Sequence, residues 1–356
     1  MLQTILCVLA LATTAQETAA PTEVDASRFF TAELHEAVDR GFAFLAAQQN
    51  RDGSFGTDDE DRAPHIGVTA LAGLAHLAAG HLPGRGPEGR ASERTLEAVL
   101  AAMNPESGLI VTDRTLSQPM YSHAFATLYL AQAYGVTREE RVGAALRRAV
   151  DRIVASQNPE GGWRYFPGST DADLSVTACQ ISALRAARNA GVAIPPETID
   201  RALAYVLACR RPDGSFRYQV SFGHASFHLS AAAVTALHQL GLGDRAEAEA
   251  GFEWIGAFFP AGEKPVRGHF LYGQLYALQA VYYESADAPA APGASPSGDP
   301  RADTFDRWAV RVRDHLLERQ REDGAFDEPP VGDLYGTAMA LLVLQLPRHS
   351  LPILIR

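Results

Sequence analysis

Lysine is nearly absent from this sequence, and the positive charge that remains is almost all arginine. Lys and Arg together number 31 against 42 Asp and Glu, a formal net charge of −11. That balance leaves no electrostatic footprint for a phosphate backbone, so nucleic acid is excluded as a partner class. Cysteine is equally scarce. Cys7, Cys179 and Cys209 are the only three, and the last two sit in apolar helical patterns, where a buried free thiol is expected and a disulfide is permitted but not required. After the N-terminus no stretch reaches the roughly 18 uninterrupted apolar residues of a spanning helix, so no transmembrane anchor is expected.

What is present is hydrophobic mass. With 356 residues, 47% of them hydrophobic, the chain can bury the core of two ordinary domains or of one large repeat assembly. Met1 to Ala15 holds a short uncharged apolar run followed by small residues, which reads as a signal peptide within a leader and tail at 1–20, although no Lys or Arg precedes the run. The expectation is an exported chain, periplasmic or extracellular, with residues 21–356 forming one domain.

Self-similarity decides between two domains and one assembly. Gln49-Asn-Arg-Asp-Gly53-Ser-Phe55, Gln157-Asn-Pro-Glu-Gly161-Gly-Trp163 and Gln320-Arg-Glu-Asp-Gly324-Ala-Phe326 share one pattern: Gln, three residues, Gly, one residue, aromatic. Arg210 to Phe216 repeats it with Arg in place of Gln. Each copy follows an amphipathic helical pattern such as Val38, Phe42, Leu45, so the motif marks a helix end, with Gly supplying the backbone geometry that stops the helix. A second, Ala-rich apolar helix follows. Aligning these second helices gives the column Thr69, His123, Thr177, Ser230, Gln274, Thr337, with a period of about 53 residues. The last two steps are irregular, because residues 284–303 have the composition of a flexible insertion between repeats five and six. Six helix pairs predict an all-α (α/α)6 toroid, with the apolar second helices inside and the charged first helices outside.

The Gln, Gly, Trp or Phe motif after an amphipathic helix resembles the QW repeat of squalene and oxidosqualene cyclases, and the six-pair toroid is shared with protein prenyltransferase beta subunits. The resemblance covers nearly all of residues 35 to 346. It implies a central lumen for an isoprenoid or other hydrophobic molecule. Squalene-type cyclases protonate an alkene with the middle Asp of Asp-x-Asp-Asp, a carboxylic acid kept protonated in an apolar site. Here Asp171-Ala-Asp173-Leu174 offers Asp171 for the first and Asp173 for the acid-bearing position, while Leu174 replaces the last Asp. The triterpene cyclases carry two helical domains where this chain has room for one. The zinc-binding Asp-x-Cys of prenyltransferases is missing altogether. No cofactor is expected.

In a closed ring the inner helices run the same way, so the aligned column gathers at one mouth, where His123 and Gln274, with Asp333 and Tyr335 nearby, are candidate substrate contacts. The competing reading makes Asp333, Thr337, Asp171 and Asp173 helix caps. Tyr121, Phe125 and Tyr129 form one stripe, and Tyr272 and Tyr276 occupy matching places in repeat five, opposite in the ring, so the two stripes either line the lumen or pack against outer helices. His65, His123, His224, His228 and His269 fall near inner-helix starts without a zinc spacing; His228, His269 and Asp173 are the first trio to test for a metal. Three functions compete: a terpene-cyclase-like isomerase or lyase, a non-catalytic binding or scaffold protein, and a glycan hydrolase using Asp173 and Asp333. A thioester domain is excluded, since Cys179 is followed by Gln180-Ile181 and not Glu-Gln.

Overall fold

The computed structural model describes residues 29–56, 63–258, 268–287, 300–329, 331–348 and 351. The expected leader lies outside them. Among the described residues twelve long helices follow one another: α1 (Ala32–Gln48), α2 (Ile66–Ala78), α3 (Gly89–Ala101), α4 (Pro119–Thr137), α5 (Glu140–Ala155), α6 (Leu174–Asn189), α7 (Pro196–Ala208), α8 (Phe227–Gln239), α9 (Ala246–Gly256), α10 (Phe270–Asp287), α11 (Pro300–Leu317) and α12 (Asp333–Gln345). Among the described residues β structure is limited to isolated bridges. No helix there is long and apolar enough to cross a membrane. The insertion read at 284–303 is narrower than expected, because α10 runs on to Asp287 and α11 begins at Pro300; its centre lies outside the described residues.

The even-numbered helices form a closed inner ring. Each packs on the next, and α12 packs back on α2. The outer helices α3, α5, α9 and α11 lie mainly on the inner helix that precedes them in sequence, α7 bridges α6 and α8, and α1 lies on α12, so the first and last described long helices meet. The patterning explains the division. Every residue of α2 is buried, since Ala and Gly let neighbours approach from both sides. In α5 only Val142, Gly143, Ala145, Leu146, Ala149, Val150 and Ile153 are buried, one face of an amphipathic helix.

The repeat motif is a joint between neighbouring pairs. Gln49 Nε2 donates to the Gly53 carbonyl at 3.1 Å and to the Ala91 carbonyl of α3 at 3.0 Å. Gln157 does the same with Gly161 (2.7 Å) and Thr198 of α7 (2.9 Å). Gln320 reaches Gly324 (3.0 Å) and Ala37 of α1 (2.7 Å), and so closes the ring between repeats six and one. The motif glycines are required on two counts. Gly53, Gly161, Gly214 and Gly324 all have φ between 85° and 93°, and a Cβ on any of them would overlap a backbone carbonyl of the adjacent outer helix.

The candidate active site and its relatives

The aligned column faces outward. The amides of the motif aromatics Phe55, Trp163, Phe216 and Phe326 donate to Thr69, Thr177, Ser230 and Thr337 at 2.9, 3.0, 3.0 and 2.9 Å. In repeat two the Ile110 amide donates to His123 Nδ1 at 3.1 Å, and His123 Nε2 lies 3.1 Å from the Ala149 carbonyl oxygen. His123 is fully buried, and that burial pushes its pKa down to about 4. Gln274 is also buried and accepts from the Trp308 indole of α11 at 2.9 Å. The column, His123 and Gln274 included, therefore fastens turns and outer helices and does not line the lumen cavity, where the sequence pattern places His123 and Gln274.

The lumen is lined two residues earlier. Two helical positions are about 200° apart, so a step back of two reverses the face. Gly67, Tyr121, Ser175, His228, Tyr272 and Tyr335 stand in that register, and all six line one cavity of about 500 Å³. Both aromatic stripes reach it, Tyr121 with Phe125 on one side and Tyr272 on the other. Tyr129, lower in the first stripe, instead packs on Gly73 of α2, where a Cβ would strike its ring. Tyr276, whose ring lies 4.8 Å from that of Tyr272, belongs to a smaller apolar chamber below. Leu71 and Phe125 border both spaces, and Leu346 and Leu351 of the C-terminal segment line the lower one. The lumen is thus polar at its mouth and hydrocarbon-like at depth.

Asp173 is the N-cap of α6. Its Oδ1 accepts from the Val176 amide at 2.9 Å and from Ser175 Oγ at 2.6 Å, and Arg164 Nη1 lies 3.4 Å from Oδ2. The capping reading is correct for this residue, yet it does not exhaust the role. The carboxyl has no solvent exposure, and burial raises its pKa against the opposing pull of the Ser175 and Val176 hydrogen bonds and the Arg164 charge. A pKa raised by burial is the direction an initiating acid requires.

The remaining candidates divide. Asp171 is half-exposed and pairs with Arg164 Nε at 3.2 Å, so it orients the arginine and lies outside the cavity. Asp333 is the first residue of α12, whose N-cap is Gly332, and it pairs with Arg321 away from the lumen. No carboxylate lines the cavity among the described residues, which removes the paired-acid geometry a glycan hydrolase requires. The His228 and His269 rings meet edge to face at 5.1 Å. Asp173 is not with them, and among the described residues no three His, Cys, Asp or Glu side chains gather as a metal site. Cys179 and Cys209 are free and buried, each thiol pushed up to about 12 by burial.

Sequence reasoning missed Ser175, Arg164, Tyr165 and Tyr218. The Arg164 guanidinium lies over both tyrosine rings, at 4.7 and 5.5 Å, and donates to Tyr218 Oη at 3.1 Å. A signal was available: Trp163-Arg164-Tyr165 and Phe216-Arg217-Tyr218 are the same tripeptide class at the same place in repeats three and four. Glu328 was also missed. It is buried, receives the amides of Leu271 and Phe270 at the start of α10, and has its pKa raised by burial to about 6.

The described helices form a ring of six pairs around an aromatic-lined lumen, with a buried acid at one inner-helix start, an (α/α)6 toroid. No protein-family model matches the chain. It is 30% identical over 260 residues to a drimenyl diphosphate synthase of Streptantibioticus cattleyicolor, covering 71% of this chain and 47% of that protein. A second drimenyl diphosphate synthase, from Streptomyces showdoensis, is 32% identical over 184 residues, or 51% of this chain and 32% of that one. The chain therefore spans less than half the length of either relative. Among solved structures, the type II terpene cyclase MstE from Scytonema, in complex with geranylgeranyl dihydroxybenzoate, superposes with a TM-score of 0.58 at 17% identity, covering 90% of this chain and 98% of that one. The α-1,6-mannanase GH76A of Salegentibacter sp. HEL1_6 superposes at 0.65 with 10% identity over 89% and 99% of the two chains, a likeness of fold. The chain is thus similar in sequence to drimenyl diphosphate synthases over part of their length and shares the α/α toroid fold with the type II terpene cyclases.

Proposed function

We propose that this chain binds a linear isoprenoid in its lumen and starts its cyclisation by delivering a proton that originates on Asp173. The observation that carries the reading is the placement of Asp173: a carboxylic acid without solvent exposure, at the start of an inner helix, beside an aromatic cavity whose other described walls hold no carboxylate. The mouth carries Arg114, Gln118 and His65, suited to an anionic or polar head group, while Phe125, Tyr272 and Leu71 below suit a hydrocarbon and a developing carbocation. Burial lowers the His228 pKa to about 4, so this ring-lining histidine stays neutral near pH 7 and adds no second cation to the cavity wall. The names of the relatives supply the substrate class, prenyl diphosphates or prenylated aromatic acids.

The test is incubation of the purified chain with farnesyl diphosphate, geranylgeranyl diphosphate and a geranylgeranylated benzoate, with products read by mass spectrometry in H2O and D2O. Cyclisation begun by protonation leaves the product isomeric with the substrate and places one solvent deuterium on carbon. Asp173→Asn keeps the cap and the packing but has no acidic proton, so it is expected to fold and to lose turnover by ~100-fold or more. Turnover equal to that of the unmodified chain would refute the assignment.

A further inference from the structure

Asp173 is placed where an initiating acid belongs, but it does not line the cavity; Ser175, two residues on, does. The same half-turn logic that sets the lumen ring makes this unavoidable, because Asp173 and the outward-facing Thr177 are four residues apart and share a face, with Ser175 opposite. The carboxyl must therefore reach the substrate through something else.

Two arms lead from it to the lumen. From Oδ1, Ser175 Oγ lies at 2.6 Å, and from Ser175 Oγ the Tyr121 hydroxyl lies at 2.6 Å. From Oδ2, Arg164 leads to Tyr218, whose hydroxyl meets that of Tyr165 at 2.5 Å. The second arm cannot pass protons, because a guanidinium does not deprotonate in a protein. It can only hold charge. The first arm is hydroxyl throughout, and both of its hydroxyl-bearing residues line the cavity. Its position is fixed from across the ring, where Tyr272 Oη donates to the Ser175 carbonyl at 3.1 Å.

We infer that Ser175 and Tyr121 form a proton relay, with Tyr121 as the group that touches the alkene and Ser175 as the link that connects it to Asp173. The inference rests on the initiating role proposed for Asp173. In the transfer, with Asp173 protonated on Oδ1, the Ser175 hydroxyl turns its single proton from Oδ1 towards Tyr121, and the Asp173 O–H proton passes to Ser175 Oγ as the Ser175 proton passes to Tyr121 Oη and the Tyr121 proton passes to an alkene carbon. The alkene π pair forms the new C–H bond, leaving a tertiary carbocation on the substrate and a carboxylate on Asp173, beside Arg164. After ring closure the cation loses a proton from a neighbouring carbon to water at the mouth, and a proton returns along the same two hydroxyls to Asp173. Moved in concert, the relay never places a full charge on either hydroxyl.

The experiment uses the full chain with farnesyl and geranylgeranyl diphosphate, comparing Asp173→Asn, Ser175→Ala, Tyr121→Phe and Ser175→Thr, each checked for folding by circular dichroism. Ser175→Ala and Tyr121→Phe are each expected to lower kcat by ~100-fold, within the range of a general acid, with little change in KM. Ser175→Thr, which returns the hydroxyl, is expected to recover most of that loss, a rescue that a packing role for the serine would not give. In mixtures of H2O and D2O the rate of the unmodified chain should fall along a curve as deuterium rises, since several protons move together. If either Ser175→Ala or Tyr121→Phe keeps kcat within about ten-fold while Asp173→Asn is inactive, the relay is wrong and the acid acts directly. If Asp173→Asn is as active as the unmodified chain, or the unmodified chain leaves every substrate intact, the initiating role of Asp173 fails before the relay is reached.

Discussion

Thr177→Val separates the two roles that the aligned inner-helix column could have had. Valine matches threonine in shape and removes only the hydroxyl, which accepts the Trp163 amide at 3.0 Å in a fully buried setting. With the acceptor gone, the amide is left unsatisfied, a cost of about 1–3 kcal/mol. For a ring of this size that corresponds to a fall in melting temperature of roughly 2–4 °C. Amide hydrogen exchange gives the sharper readout. Protection of the Trp163 amide should drop, together with that of Gly161 and Gly162 in the same turn, while amides in α10 and α12 keep theirs. Occupancy of the lumen should be untouched, because Thr177 points away from it. If Thr177→Val left the Trp163 amide as protected as before, or weakened binding of a hydrophobic probe in the cavity, the column would be a lumen feature after all.

The ring-closing joint predicts a graded pair. Gly324→Ala places a Cβ against the Arg40 carbonyl at φ 89°, whereas Gly241→Ala, at φ 85°, meets nothing within 4 Å. The second should cost the ~1–2 kcal/mol of left-handed strain alone and the first distinctly more, by chemical denaturation; equal costs would deny that the motif glycine is there for close approach. A third prediction concerns acid. His123 has its folded pKa lowered to about 4 from 6.5, so between those values the unfolded chain binds more protons, and stability contributed by the neutral imidazole is full above pH 6.5 and lost as pH falls toward 4. His123→Thr, which installs the residue found at this position in repeats one, three and six, removes that titration. Its stability loss from pH 7 to pH 4 should be smaller by on the order of 3 kcal/mol. An unchanged pH dependence would count against the burial of a neutral ring.

The repeats were legible because their signal is backbone chemistry. A Gly at φ near 90° recurs in four copies of the motif, and in three of them a Gln reaches the next outer helix, whatever the lumen holds. Even the degenerate repeat two keeps Gly108 at φ 72°, against the Arg148 carbonyl. The direction of a face is not legible in the same way. Periodicity groups His123 with Thr69 and Thr177, but an inner helix is buried on every side, so polarity does not say which face meets the lumen. The polar column was assigned to the mouth because polar residues in an apolar helix suggest a site; here they satisfy turn amides. The sequence leaves the aromatic stripes free to line the lumen or to pack on outer helices; Tyr121, Phe125 and Tyr272 line the cavity, and their register, two before the column, is the signal that the column faces away.

That register also gives Ser175 its place in the lumen ring. Repeats two, five and six place Tyr121, Tyr272 and Tyr335 in it, repeat four places His228 and repeat one Gly67. A large ring at residue 175 would fill the space between α6 and the cavity and bury the N-cap two residues earlier behind carbon. Serine there is small enough to let Tyr121 cross from the neighbouring helix and polar enough to join it to the carboxyl, with 2.6 Å on either side. The N-caps of α2, α4, α8 and α12 are His65, Gln118, Ser226 and Gly332, none of which brings a carboxyl to such a position. Acid and hydroxyl thus coincide in repeat three alone among these, on the wall where both aromatic stripes converge, and that asymmetry of the ring is what the proposed initiating role rests on.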